Sequence, residues 1–237
     1  MSDSIVHSFE PIALIGGGDL GKHDLALVMD RVTMLVAADG GAVAALRAGV
    51  HLEAVIGDFD SLSASDAALI PQDRQHRVHE QDSTDFDKAL RAIDAPLVLA
   101  VGFLGARVDH QLAAFNTLVR NADQPCVLIG PDEIIVHALP RLDLPLSAGD
   151  IVSLFPLAPV TGRSDGLEWP IDGLAFAPDT RIGTSNRATG PISLQMDGPG
   201  MLVIVPRSAL DLVIRAIVPL DRSGVRAPLP ARWPARA

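Results

Sequence analysis

Two acidic stretches carry the chemistry of this chain: GDFDS at 57–61 and QDSTDFDKAL at 81–90. The apolar run AVIG at 54–57 delivers Asp58 and Asp60 onto a turn. Asp82, Asp85 and Asp87 then open a predicted helix that carries Lys88, one of only two lysines, the other being Lys22. Carboxylates this dense repel one another unless a divalent cation or a cationic group sits among them. Acids that gather metal, beside a cation that can meet phosphate, point to metal-assisted phosphoryl chemistry. The competing reading is a pair of solvated turns with helix-capping aspartates.

The elements around these residues read as alternating strands and helices. PIALIGG, VTMLVAADGG and LEAVIGDFDS are strand-like, and KHDLALVMD and AVAALRAGV are helix-like between them. Thr84 is placed to cap the helix STDFDKALRAID, with Asp87 three residues on as its capping-box acid. APLVLAVGFLG reads as a buried strand and VDHQLAAFNTLVRNA as a long amphipathic helix, followed by strands in QPCVLIGPD and EIIVHAL. This alternation predicts an α/β domain with a mainly parallel sheet covered by helices. From Pro140 onward Gly and Pro recur, and short strands read at DIVSLFPL, GLEWPI, GLAFA, ISLQM and GMLVIVP, with ALPRLDLPLSAGD as the connection. That rhythm predicts an all-β sandwich. The expected division is an α/β nucleotide-binding catalytic domain over 1–140, a β-sandwich domain over 141–220 and a disordered Pro/Arg-rich tail over 221–237, which makes Trp233 incidental.

Two rival chemistries arise from the same residues. Gly16, Gly18 and Gly21 give the spacing G-x-G-x-x-G after a strand, and Asp39 ends the next strand, as in a dinucleotide-binding oxidoreductase. That reading leaves GDFDS, STDFDK and Arg107-x-Asp109-His110 without a role. GDFDS is also similar to the opening D-x-D-S/T of haloacid dehalogenase-like phosphatases. Those place the strand near the start of the fold and need a later acid pair, whereas here two βα units precede Asp58 and no Asp-Asp pair follows.

Composition bounds the partners. The chain has 237 residues, a net charge of −10 and no Lys/Arg run, which argues against a nucleic-acid partner. The single cysteine, Cys126, excludes an internal disulfide framework and reads as a buried thiol in PCVLIG. The N-terminus, MSDSIVHSFEP, lacks the basic and apolar regions of a signal peptide, and the apolar stretch over 95–106 is too short to span a bilayer. A cytoplasmic protein without a membrane partner is expected.

AADGG at 37–41, GDFDS at 57–61, DSTDFDKAL at 82–90 and GFLGARVDHQLAAFNTL at 102–118 resemble the thiamine pyrophosphokinase family, as do GLEWP at 166–170 and GTSN at 183–186. The resemblance implies transfer of a pyrophosphoryl group from ATP to the hydroxyl of thiamine, giving thiamine diphosphate and AMP. It further implies Mg²⁺, an α/β domain plus a β-sandwich, and a homodimer. Two positions depart from the family pattern: Ala106 replaces a glycine before Arg107, and Arg187 stands where an acid commonly follows the Ser-Asn pair. A cation at 187 does not favour a cationic vitamin, so a pyrophosphokinase for another hydroxymethyl heterocycle stays open, as does a non-catalytic nucleotide or thiamine sensor.

On spacing and resemblance together, Asp58, Asp60 and Asp85 are the candidate Mg²⁺ ligands and, with Lys88, the catalytic set. Asp39, Gly40, Thr84, Lys88, Arg107 and Asp109 are assigned to the nucleotide, with Lys88 and Arg107 on phosphate and Asp109 ordering Arg107, meeting a nucleotide hydroxyl or capping a helix. Trp169 is assigned to the thiazolium ring as a cation–π partner, against the alternative of core packing. Ser185 and Asn186 either bond the pyrimidine or form an Asx-type turn.

Overall fold

The computed structural model describes residues 4–105, 107–221 and 223–235. Ala106, one of the two departures noted above, lies outside them. Contacts divide the chain into two compact units, Met1–Thr117 and Leu118–Ala237.

The first unit contains β1 (Val6–His7), β2 (Ile12–Ile15), α1 (Asp24–Met29), β3 (Met34–Ala38), α2 (Gly41–Arg47), β4 (Ala54–Gly57), α3 (Ala64–Ala67), β5 (Gln75–Arg77), α4 (Asp85–Arg91), β6 (Ile93–Asp94), β7 (Val98–Val101) and most of α5 (Val108–Arg120). Five strands lie in the order β7-β2-β3-β4-β5, all parallel. Strands β2, β4 and β7 are buried at every residue, as expected of strands covered on both faces. Their apolar runs therefore show no alternation. Parallel strands must be joined by crossovers, so each strand end is followed by a loop and helix at the same edge of the sheet. That edge gathers the ends of β2, β3, β4 and β7, where ligands bind in open α/β sheets.

The second unit contains β8 (Cys126–Ile129), β9 (Glu133–His137), β10 (Arg141–Leu144), β11 (Ile151–Pro156), β12 (Val160–Leu167), β13 (Ala175–Phe176), β14 (Thr184–Met196), β15 (Met201–Pro206) and α6 (Leu210–Ile217). Its strands run in the order β13-β12-β14-β11-β15-β9-β8, with β10 also on β14, and all these pairs are antiparallel. The expectation of a mainly parallel sheet is thus corrected. The described parallel pairs lie within the first unit and the antiparallel pairs within the second, so the described pairing is mixed and mostly antiparallel. The cause is connection length, because the Gly- and Pro-rich turns of the second half are too short for crossovers.

Sequence reading missed three features here. The stretch read as a connection holds β10, whose RLDL alternates exposed and buried. β14 begins well before ISLQM, because its first residues pair with β11 and its last with β10 and β12. Helix α6 follows β15, with Leu210, Val213 and Ile217 buried at helical spacing. Cys126 is buried as expected, and burial pushes its thiol pKa up. Beyond α6, Trp233 Nε1 donates to the Ala138 carbonyl at 2.7 Å.

Glycine is required where backbones nearly touch. A Cβ on Gly41 would lie 2.0 Å from the Ile15 carbonyl oxygen, whereas one on Gly49, at φ +67°, meets nothing within 4 Å. Gly41→Ala should cost roughly 1–3 kcal/mol or more through overpacking against main chain. Gly49→Ala should cost about 1 kcal/mol through its left-handed backbone alone. Urea denaturation of the two variants checks this, and equal losses would contradict it.

Candidate active site

The acidic cluster is built at the ends of β3 and β4. Asp39 follows β3 with φ 39°, and Phe59 follows Asp58 with φ 66°. These are the two left-handed non-glycine residues of the described chain, a conformation tolerated by Asp and costly for Phe. The Phe59 turn is held by a buried ring with the Arg77 guanidinium 5.2 Å above it. It is also held by Asp60 N–H, which donates to Asp58 Oδ1 at 3.3 Å. The Asp39 carboxylate is 2% exposed. Its Oδ2 accepts from Ser61 N–H at 3.2 Å, and its Oδ1 has no hydrogen-bond partner among the described residues. A Cβ on Gly57 would lie 2.9 Å from Asp39 Cβ, so a glycine is needed for this approach. One carboxylate oxygen from each of Asp39, Asp58 and Asp60 lies within 4.8 Å of the others, a spacing that one cation can bridge.

Helix α4 supplies the opposing charge. Thr84 caps it, its hydroxyl oxygen accepting from Asp87 N–H at 3.3 Å. The Asp87 carboxylate is turned toward Arg91, 3.1 Å from its Nε. Lys88 Nζ donates to Asp58 Oδ2 at 2.9 Å and to Asp85 Oδ1 at 3.1 Å, with its side chain 2% exposed. Hydrogen bonding from Lys88 holds the Asp58 carboxyl below its usual range. Burial pushes the Asp85 carboxyl up, outweighing its bond from Lys88. Burial pulls the Lys88 ammonium down, but the bonds to Asp58 and Asp85 win and its pKa is raised.

A cleft of about 470 Å³ joins these groups. Of the residues named from sequence, Asp39, Gly40, Asp58, Thr84, Asp85, Lys88 and Arg107 line it. Asp60 reaches it only through the carboxylate cluster, and Asp82 is an exposed loop acid. Arg107 and Asp109 form an exposed two-point ion pair, with Nε to Oδ1 at 3.1 Å, and Asp109 also accepts from His110 N–H. Asp109 therefore orders Arg107. Asn116 donates to the Leu112 carbonyl and serves the helix.

Sequence reading missed the wall formed by Gly17, Gly18, Gly102, Phe103 and Gly105, together with Ser83 and His110. Gly16 and Gly18 would each place a Cβ within 2.8 Å of the Gly102 carbonyl oxygen, so the loops after β2 and β7 lie main chain against main chain. The glycine spacing was visible in sequence but pointed to a dinucleotide. In the structure Asp39, the would-be ribose acid, is committed to Ser61 and the acidic cluster.

In the second unit, Trp169 is 55% exposed, which rules out core packing. Ser185 is exposed and Asn186 buried on β14. Asn186 bonds the main chain of Trp169 at both ends of its amide. Arg187 lies 4.0 Å from Glu168, so the departure at 187 meets an acid from the neighbouring loop.

Residues 25–129 match the family model described as thiamin pyrophosphokinase, catalytic domain. Thiamine pyrophosphokinase 1 of Arabidopsis thaliana is 29% identical over 125 residues, 46% of this chain and 46% of that protein. The chain thus spans about half the length of the first curated relatives it matches. Thiamine pyrophosphokinase 1 of Oryza sativa subsp. japonica is 26% identical over 200 residues, 68% of this chain and 74% of that protein. Among solved structures, a thiamin pyrophosphokinase from Geobacillus thermodenitrificans superposes with a TM-score of 0.67 at 24% identity, covering 83% of this chain and 96% of that one. One from Candida albicans gives 0.68 at 16%, covering 87% and 94%. At these identities the structural likeness establishes the fold.

The Lys88 bridge makes a prediction of its own. Asp58, with a lowered pKa, contributes stability that is present above the ordinary 3.8 and lost as pH falls through the lowered value. Lys88, with a raised pKa, contributes stability that is present below 10.5 and lost as pH rises through the raised value. The bridge should therefore persist across the neutral range. Lys88→Met, which leaves two carboxylates facing each other, should cost roughly 2–4 kcal/mol. It should also raise the Asp58 titration midpoint, read by carboxyl ¹³C NMR. An unchanged midpoint would contradict the bridge.

Proposed function

We propose that this chain, whose residues 25–129 match the thiamin pyrophosphokinase catalytic-domain model, transfers the pyrophosphoryl group of ATP to the hydroxyl of thiamine, giving thiamine diphosphate and AMP. The observation that carries the reading is the buried, unpartnered Asp39 Oδ1 beside Asp58 and Asp60, one helix away from a buried lysine. An orphaned carboxylate oxygen in an acidic cluster fits a divalent cation better than it fits an empty turn. Mg²⁺, when bound, supplies neutralisation of phosphate charge and a template for in-line displacement. On this reading Asp58 and Asp60 would hold the ion, with Asp39 beside them in the cluster and Asp85 on α4 as a further candidate. Lys88 bridges Asp58 and Asp85 and offers positive charge to the transferred group. Arg107, ordered by Asp109, grips phosphate from the mouth of the cleft. The thiamine hydroxyl oxygen forms the new bond to the β-phosphorus as the bridging oxygen departs with AMP.

The α/β half over 1–140 acts on the nucleotide in this proposal, and a β-sandwich over 141–220 binds thiamine at the face that carries Trp169 and Ser185, with 221–237 as a tail. This functional division gives β8 and β9 to the nucleotide half, unlike the division by contacts. A homodimer and a cytoplasmic location belong to the same reading. Among the described residues no helix is long and apolar enough to cross a membrane. A phosphatase using Asp58 as nucleophile is disfavoured, since Lys88 and Gln81 donate to one of its oxygens and Asp60 N–H to the other. A sensor would not need the whole acid set. Glu168 beside Arg187 offsets the charge that favoured a different heterocycle.

ATP labelled at the β-phosphorus should pass its label into thiamine diphosphate, with AMP released only when thiamine and ATP are both present. ADP and thiamine monophosphate as products would reject the proposal. Asp58→Asn, Asp60→Asn and Asp85→Asn should each lower turnover on the order of 10²-fold or more while the protein stays folded. Near-normal, metal-dependent turnover in Asp85→Asn would remove that residue from the site. Trp169→Ala should raise the thiamine KM roughly 2- to 30-fold and leave the ATP KM in place, because a cation over the indole contributes about 0.5–2 kcal/mol. Equal weakening of both substrates would point to a general loss of structure instead.

A further inference from the structure

Asn186 is 1% exposed, yet its neighbour in the turn of contacts, Trp169, is 55% exposed. The two are joined by a two-point clamp. Trp169 N–H donates to Asn186 Oδ1 at 3.1 Å, and Asn186 Nδ2 donates to the Trp169 carbonyl at 2.6 Å. Oδ1 also accepts from Arg187 N–H at 2.9 Å. A primary amide that meets both the N–H and the C=O of one residue copies, with a side chain, the two-bond pairing of an antiparallel β-ladder. Such a pairing fixes the peptide's position and its orientation, which one hydrogen bond does not.

The surrounding loop is pinned in the same way. Leu167 pairs with Ala188 in the β12–β14 ladder after a register shift, and Glu168 N–H donates to the Arg187 carbonyl at 2.8 Å. On the far side of Trp169, Ile171 N–H donates to Ser164 Oγ at 3.0 Å, and Ser164 N–H donates to Asp172 Oδ2 at 3.2 Å. The loop over 168–172 is thus tied at both ends, and Asn186 is the tie at its aromatic residue. Burying an amide for this purpose leaves the indole in the open with its backbone immobilised.

We propose that Asn186 is a positioning residue that aims the Trp169 indole at the acceptor substrate, and that Ser185, exposed beside it, is the member of the pair free to touch that substrate. This rests on the reading of Trp169 as a wall of the thiamine site. The geometry argues against direct contact by Asn186, because its oxygen already accepts two N–H groups and its nitrogen makes the shortest bond of the clamp. A rigid indole loses less rotational freedom when a ligand stacks on it than a mobile one does.

The test uses the 237-residue chain with Trp233→Phe, so that Trp169 is its sole tryptophan. Steady-state fluorescence anisotropy of Trp169 is read without ligand, and KM and kcat are measured for thiamine and for ATP. Asn186→Ala should lower the anisotropy and raise the thiamine KM roughly tenfold, since both amide bonds are lost. The ATP KM and kcat should stay within about twofold. Asn186→Asp keeps the acceptor but sets an oxygen against the Trp169 carbonyl, and it should reproduce the effect while remaining folded by circular dichroism. A raised thiamine KM with unchanged anisotropy in both variants would overturn the proposal by making Asn186 a direct contact. Parallel loss of melting temperature and of activity on both substrates in both variants would overturn it too. If Trp169→Ala leaves the thiamine KM unchanged, the substrate reading of Trp169 fails. The ligand-free anisotropy then still reports whether Asn186 holds the indole.

Discussion

Lys88 sits with its ammonium between Asp58 and Asp85, and the geometry of the cleft follows from that placement. Asp58 belongs to the loop after β4 and Asp85 to the first turn of α4, so one buried cation ties a strand end to a helix start. Without it, three carboxylates at the ends of β3 and β4 would face a fourth across a low-dielectric gap. The bridge also fixes which oxygens remain open. Asp58 is engaged on both oxygens, whereas Asp39 keeps Oδ1 unengaged. The same side chain therefore stabilises the fold and sorts the acids by availability.

A second network holds the rim of that cleft in place. The Arg91 guanidinium donates to both oxygens of Glu80 at 2.9 and 3.2 Å and to Ser83 Oγ at 3.1 Å, and it pairs with Asp87 on its own helix. Glu80 and Ser83 belong to the loop that carries Gln81 and Thr84. The loop is thus tied to α4 beside the Thr84 cap and the Asp85–Lys88 pair. The capping-box acid expected of Asp87 is turned instead to this arginine. A partly exposed pair adds little stability by itself, but its geometry sets the loop's position.

Much of the first unit was legible in sequence because its signals are local. Fully apolar runs marked β2, β4 and β7, and Thr84 announced the start of α4. The acids of GDFDS and STDFDK could be paired because each cluster follows a strand. What could not be read depends on contacts distant in sequence. Asp39 was placed at the nucleotide and proves to be the most buried member of the acidic cluster, because Ser61 and Gly57 draw it there. Asn186 was expected at the ligand or in a local turn and is buried against Trp169, a pairing set by the register of β12 and β14. The mainly parallel expectation was made for 1–140, and it gave way where β8 and β9, read there as strands of that domain, pair antiparallel with each other and with β15.

The loops after β2 and β7 meet main chain to main chain at Gly16, Gly18 and Gly102. One wall of the cleft is therefore made of peptide groups, while the opposite wall is made of ionisable side chains. These two walls answer to different pressures. On the acidic side an altered residue changes charge, reach or protonation, so its effects can be graded and even compensated by a neighbour. On the glycine side there is nothing to tune, because any methyl group strikes a carbonyl oxygen. A saturating survey of substitutions would show flat, all-or-none responses at 16, 18 and 102, against continuous gradation along 58–60 and 85–88. Novelty in substrate or metal preference has room to arise along only one of those walls.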